Sequence, residues 1–484
     1  MRIPLYPHTK EENLCRGRYL DMKPRNHNSY IRGQTTLQLI LPLVVMLIIL
    51  TTLAFMIPVL SVFQIFALTA GIVIFIASFA STDVALYILI FSMLLSPEFV
   101  VGTTAGGSLG RGVTVRFDDF LLVVIGISWL AKMSVKKELG LFLKTPLNKP
   151  IAFYIIICLL ATLFAAFDGR VDFKTGFLFV LKYFQYMIIY FMVANHLESR
   201  KQARNYLWAL LITCAIVSII GIIQIPGGGR VSAPFEGDSG EPNTFGGYLV
   251  FMISVTVGLW LTSDSFRDQC IYSGLALLFA IPLIYTQSRS SYLAIVPAML
   301  AFVWLSEKRH WVAMAILLVG VSLPMIAPHP AKERVVYTFT QGKTQPDVVE
   351  VGGIRLDTSL SARIRSWKSA AKDWAKHPVL GYGVTGYKFV DAQYVRVITE
   401  TGLLGLVTFA LLIAIVFRLA YHVSKEAVDP FHKGLTMGFL AGFIGLLYHG
   451  IGANTFIIVR IMEPFWFVTA MVIMIPEIEK RDQA

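Results

Sequence analysis

Apolar residues run unbroken through this chain for roughly 17–25 positions at a time, the length a helix needs to cross about 30 Å of hydrocarbon. Fourteen such segments are predicted as helices, at 36–57, 59–80, 83–97, 118–134, 150–167, 175–195, 204–225, 244–262, 270–287, 289–306, 311–327, 396–420, 432–450 and 455–476. Pro58 alone separates the first two. The runs are continuously apolar rather than alternating, which excludes strands of a membrane barrel. The pattern predicts an all-α polytopic membrane protein of about 12–14 transmembrane helices with one large periplasmic loop. Composition removes the soluble alternative. Of 484 residues 56% are hydrophobic and only 15% charged, and the mean hydropathy is +0.66. A soluble surface needs about 25% charged residues.

The net charge of +12 reads as the basic loops of a membrane protein rather than a nucleic-acid surface. With the N-terminus inside, short inner segments hold 22 Lys and Arg against 7 in short outer segments. Cytoplasmic loops collect such residues, so both termini are expected in the cytoplasm. The resulting order is a basic cytoplasmic tail (1–35), eleven spans (36–327), a large periplasmic loop (328–395), the last three spans (396–476) and a cytoplasmic tail (477–484). The loop contains an amphipathic helix, 361–377, in which Ile364, Trp367, Ala371 and Trp374 recur at helical spacing and Pro378 stops the run. It reads equally as a lid packed on the membrane by its tryptophans and as a lid over a site. Cys15, Cys158, Cys214 and Cys270 form no CxxC pair; neither a disulfide nor a metal site is expected. The polar, basic first 34 residues contain no cleavable signal.

Three outer segments carry charge or glycine beyond a connector's needs. PGGGRVSAPFEGDSGEPN (226–243) surrounds Arg230 with glycine and follows it with Glu236, Asp238, Glu241 and Asn243; it is either a long hairpin turn or a binding loop. TQSRSSYLA (286–294) places Arg289 among Ser288, Ser290 and Ser291 where a helix begins. Arginine there is either a snorkelling anchor or part of an anion site, because helix N-termini present free N–H groups to negative charge. HPVLGYGVTGYKFVDAQYVRVITETGLLGL (377–406) brings Gly381, Tyr382, Gly383 and Gly386 to the membrane, followed by Asp391, Arg396 and Glu400. Acids so close to hydrocarbon are costly and usually functional, although Arg396 and Glu400 are also spaced as a helical ion pair. Arg363, Lys182, His449, and Arg460 with Glu463 are weaker candidates. Lys182 is read as snorkelling outward, and His449 and Arg460 with Glu463, which flank the last outer loop, as completing the same cavity. No P-loop, nucleotide fingerprint, zinc motif or Ser/His/Asp set is present. Chemistry must therefore draw on an activated substrate already at the outer face, and a lipid-linked diphosphate fits the outer arginines.

These segments, with SLGRGVTVRFDDFLL and RIRSWKSAAKDWAKHPVLGYGVTGY, resemble the O-antigen ligase and Wzy-type polysaccharide polymerase superfamily from about Arg111 to Ile473. The resemblance implies a GT-C-like glycosyltransferase of the bacterial inner membrane, usually with twelve spans. Such enzymes move glycan from an undecaprenyl-diphosphate carrier to a hydroxyl acceptor, with no metal, cofactor or nucleic acid. Arg230 and Arg289 match the family's two outer-face arginines, which hold the diphosphate. Ligases keep a histidine about nine residues before the Glu-Thr-Gly of the following helix, and here that position is Asp391. The expected activity is therefore polymerisation of repeat units for an exopolysaccharide or O-antigen, with Asp391 as base, Glu400 in reserve and a chain-length regulator as a candidate partner. Glu236, Asn243, Ser290, Arg363, Tyr382, Arg396, His449 and Arg460 are candidate substrate contacts. An O-antigen ligase or a protein O-oligosaccharyltransferase using the same donor is the alternative. A flippase is a further one, disfavoured by the absence of an internal repeat and by charges clustered at one face rather than at the midplane.

Reporter fusions should place Met1, Lys137, Arg309 and Ala484 in the cytoplasm and Gly229 and Gln345 in the periplasm; a cytoplasmic Gln345 would overturn the outer-face reading.

Overall fold

A computed structural model describes residues 62–103, 112–135, 145–235, 240–326, 329, 332–333, 336, 349–351, 354–355 and 358–483. The predicted helix 36–57 lies outside them. The described helices are α1 (Val62–Ala80), α2 (Thr82–Leu95), α3 (Phe117–Val135), α4 (Asn148–Phe167), α5 (Phe173–His196), α6 (Arg200–Gln224), α7 (Pro242–Thr262), α8 (Phe266–Tyr285), α9 (Arg289–Leu305), α10 (Arg309–Ile326), α11 (Thr358–Trp374), α12 (Gln393–Glu426), α13 (Pro430–Gly452) and α14 (Val459–Gln483). Two short antiparallel hairpins pair Glu98–Thr103 with Gly112–Arg116 and Glu350–Val351 with Ile354–Arg355. Among the described residues eight helices are long and apolar enough to cross a membrane, and four shorter apolar helices accompany them. The protein is an all-α, multi-pass membrane protein.

The chain divides into two compact units. In the smaller, residues 1–85 and 123–149, Ser128 Oγ donates to the Phe75 carbonyl (3.2 Å) and Lys132 Nζ to Thr82 Oγ1 (3.2 Å). The larger, residues 86–122 and 150–484, contains the candidate site.

Helix starts in the larger unit follow the capping residues of the sequence. Asp172, Ser199, Ser265, Ser288 and Asp429 each accept a backbone N–H from the first turn of α5, α6, α8, α9 and α13. On α4 the residues Phe153, Ile156, Leu160, Phe164 and Phe167 form an exposed stripe. Tyr154, Cys158, Ala161 and Ala165 are buried on the opposite face. Such an apolar stripe faces lipid, since lipid tails carry no penalty for it.

The core pair is α7 against α13, and glycine sets its spacing. Gly434, Gly438 and Gly442 recur every four residues on α13. A Cβ at Gly438 would sit 2.6 Å from the Val255 Cα, and one at Gly442 would sit 2.8 Å from the Phe251 ring. Between apolar helices in lipid, such close approach replaces the missing hydrophobic drive. At the end of the bundle away from Arg230, Arg200 pairs with Asp429 (2.7 Å), Lys433 with Glu307 (2.6 Å) and His432 with Glu479 (2.8 Å).

The helix expected at 396–420 extends over Gln393–Glu426 and is broken at Gly402, with φ 65° and ψ −166°. Only glycine occupies this region readily. The break orphans backbone groups, and the segment 378–383 satisfies them. Tyr382 and Gly383 N–H donate to the Thr399 (2.9 Å) and Glu400 (2.8 Å) carbonyls. Leu403 and Leu404 N–H donate to the Pro378 (2.8 Å) and Val379 (3.2 Å) carbonyls. The positive φ of Gly381 (67°) and the lack of space for a Cβ there, 2.5 Å from the Thr399 carbonyl oxygen, explain the glycine-rich stretch. Arg170 and Thr162 tie the same segment to neighbouring helices through the Gly381 carbonyl and the Val384 N–H.

Gly402→Ala should destabilise the protein by roughly 1–3 kcal/mol from the backbone conformation alone, with more from collision with the Val379 carbonyl. The check is a thermal melt in detergent; an unchanged midpoint would show that the break is not required.

Candidate active site

The sequence predicts an anion site around the start of α9, and the structure brings its residues together. Ser288 caps the helix, its Oγ accepting from Ser291 N–H at 3.3 Å. Arg289 is the first helical residue and is half-buried. The exposed Arg230 arrives from the loop after α6. Its Nε donates to the Thr286 carbonyl (2.9 Å), and Nη2 points at the Gln287 carbonyl and Asn243 Oδ1, both at 3.5 Å. Val231 N–H donates to the Tyr285 carbonyl (3.1 Å), so backbone and side chain both bind this loop to the α8–α9 junction. Asn243 Oδ1 also accepts from Ser288 Oγ (2.8 Å). Arg230 thus meets the N-terminus of α9, whose first residue is Arg289, and a helix N-terminus beside arginine favours an oxyanion.

A second group adjoins the first through the turn after α13. Asp391 and Arg363, one before α12 and one on α11, form an ion pair at 3.0 Å, with side chains 32% and 22% exposed. A Cβ at Gly452 would lie 2.5 Å from Ser290 Oγ and 3.5 Å from Arg363 Nη1, so this glycine admits both. Two residues on, Asn454 Nδ2 donates to the Val390 carbonyl (2.9 Å) and fixes the backbone next to Asp391. The amphipathic helix forms over Thr358–Trp374 rather than 361–377, starting earlier and ending before His377. Ala370, Val390 and Ala392 form a small core beneath it, covered by Trp367, Tyr387 and Val395. Asp373 accepts from Tyr387 Oη (2.8 Å) and Lys376 Nζ (3.0 Å). These bonds hold its carboxyl at about 2, so the fastening persists well below neutral pH and is lost only as the carboxylate protonates near that value.

Several candidates belong elsewhere. Asp391 is held by Arg363, and Arg396 pairs with Glu400 at 2.9 Å, as their spacing allows, with side chains 13% and 6% exposed. The i,i+4 spacing wins because both residues lie on one face of α12, beside the stapled break. Tyr382 Oη donates to the Asp373 carbonyl (2.9 Å) and its ring packs on His377 and Tyr387, which makes it part of the support at the end of α11. Arg460 is 2% exposed and does not line a cavity with the arginines. Its guanidinium donates to four carbonyls, of Leu94 (3.2 Å), Ser96 (3.3 Å), Pro234 (2.8 Å) and Phe235 (3.1 Å). Glu463 faces Arg116 at 3.5 Å, and Arg116 is itself bonded to Asp118. Lys182 does not snorkel; it pairs with Asp119 at 3.6 Å. His449, taken as a substrate contact, is fully buried and touches Ser291 and Thr455. Glu236 and Asp238 lie outside the described residues. Sequence reading missed Asn454, Thr455 and the part played by Ser291, because a short turn and a helical serine carry no distinctive pattern.

Residues 274–410 match the family model described as O-antigen ligase. This region contains Arg289, Arg363, Asp391, Arg396 and Glu400; Arg230, Asn243 and His449 lie outside it and join it through the contacts above. The match supports membership of the O-antigen ligase/Wzy-type superfamily, whose members are in general lipid-linked glycosyltransferases. No curated protein matches the chain.

Replacing Arg460 with Met should abolish folding rather than chemistry alone, since four carbonyls, three of them in buried bonds, would lose their donor and each orphaned buried group costs about 1–3 kcal/mol. Size-exclusion chromatography in detergent checks this; a monodisperse, wild-type-like Arg460→Met protein would refute the assignment.

Proposed function

We propose that the chain is a glycosyltransferase of the bacterial inner membrane. In this reading it polymerises undecaprenyl-diphosphate-linked repeat units at the periplasmic face, into an exopolysaccharide or O-antigen, with both termini cytoplasmic. The observation that carries this reading is the meeting of Arg230, Arg289 and the α9 N-terminus with the Asp391–Arg363 pair across the turn at Gly452. One part suits a diphosphate, the other a hydroxyl.

The donor diphosphate would rest against Arg230, Arg289 and the first N–H groups of α9. An acceptor hydroxyl attacks the donor's anomeric carbon. The new C–O bond forms as the bond to phosphate breaks, and the diphosphate leaves with the electron pair. Charge placed in advance around the leaving oxygen stabilises that step in a water-poor site. The hydroxyl proton passes to Asp391, whose Oδ2 is oriented by Arg363, leaving Oδ1 for the acceptor. Glu400 is tied to Arg396 and only 6% exposed, so an acceptor hydroxyl reaches it less readily than Asp391. A ligase is the second reading, favoured by the description of the matching family; against it stands Asp391 where ligases keep a histidine.

Purified protein given lipid-linked repeat units alone should lengthen them, with products read on a gel; product only when lipid A–core acceptor is added would establish the ligase instead. Asp391→Asn should fold and lose about 10²–10⁴-fold in turnover, the usual contribution of a general base. Arg230→Lys and Arg289→Lys should each lose most activity, because lysine keeps the charge but not the planar fork. Wild-type turnover from both lysine variants would make the arginines mere anchors.

A further inference from the structure

We propose that His449 is a positioning residue of the diphosphate site, acting on Arg230 through Ser291, Ser288 and Asn243 without touching substrate. The inference rests on the diphosphate reading of that corner.

The contacts form one directed chain, and its direction follows from the arginine. A guanidinium only donates, so the Asn243 atom facing Arg230 Nη2 must be the amide oxygen. Ser288 Oγ meets that same oxygen at 2.8 Å and so donates its single proton there. It can then only accept from Ser291 Oγ, also at 2.8 Å. The Ser291 proton is thereby used, and toward His449 Nε2, at 3.2 Å, this hydroxyl can only accept. Nε2 therefore carries a proton. On the other side of the ring, Nδ1 faces Thr455 Oγ1 at 2.8 Å, next to the Asn454 that fixes the backbone beside Asp391. The ring thus links the turn holding the Asp391 segment to the residues that aim Arg230.

The fold makes room for this chain specifically. Gly246 and Gly247 are consecutive on α7. A Cβ on the first would overlap Ser291 Oγ, and on the second it would lie 3.0 Å from His449 Cε1. No larger residue leaves both contacts intact. Packing alone would be served by an apolar side chain at 449. A buried polar chain with every hydroxyl used instead specifies one arrangement of its members.

The test compares two amides. In His449→Gln the side-chain amide reaches the place of Nε2 and keeps donating to Ser291. In His449→Asn it reaches only the place of Nδ1, keeping Thr455 and losing Ser291. Binding of undecaprenyl diphosphate to purified protein in detergent is the readout. His449→Asn should weaken it on the order of tenfold, as expected for a lost internal hydrogen bond, and His449→Gln by about threefold or less. Ser291→Ala should match His449→Asn, and combining the two should add nothing, as for members of one chain. Size-exclusion chromatography sorts folded variants, and the small Ser291→Ala change keeps the test decisive if the histidine variants misfold. Equal binding by the Asn and Gln variants, or wild-type binding by Ser291→Ala, overturns the positioning role while leaving the diphosphate site intact. Binding to wild type that Arg230→Ala does not weaken overturns the diphosphate reading, and this inference with it.

Discussion

Four backbone hydrogen bonds between 378–383 and the break at Gly402 join the segment after α11 to the membrane bundle. In hydrocarbon an interrupted helix is tolerated only where its freed N–H and C=O groups find partners. Here those partners come from the chain leaving α11, so the break and the segment after α11 are one structure. Asp391 lies between them, eleven residues before Gly402, and its position is set from both sides. Removing the glycine would disturb a helix and also the placement of the acid that faces Arg363.

The second constraint is close helix approach. Glycine along α13 lets α7 come near enough for its own Gly246 and Gly247 to accommodate Ser291 and His449. The same packing that stabilises the bundle thereby places polar residues in its interior, where each must be hydrogen-bonded to be tolerated. Stability and site geometry are drawn from the same few small residues.

Charged residues at the Arg230 end of the bundle divide by what surrounds them. Arg460, Arg116, Glu463 and the Arg396–Glu400 pair are buried and bind backbone carbonyls or each other. Arg230, Arg289, Arg363 and Asp391 keep some exposure. Acid or base near hydrocarbon marks both classes, because either a structural staple or a ligand can offset the cost of burial. Proximity to the membrane edge in the sequence could not separate Arg460 from Arg230.

Long apolar runs and the serine-flanked Arg289 at a helix start were legible in the sequence, since the bilayer demands helices of a given length and helix ends demand particular residues. The outer segments around Arg230, Arg289 and Asp391 were legible too, as charge and glycine that connectors do not need. What the tertiary structure decided is pairing. Asp391 goes to Arg363 and not to Arg396, Arg460 goes to four carbonyls, and His449 goes to serine and threonine. Local spacing governs contacts within one helix, as between Arg396 and Glu400. Partners brought together by three-dimensional packing, such as Ser291 with His449 or Asn454 with Val390, leave no periodic trace along the chain.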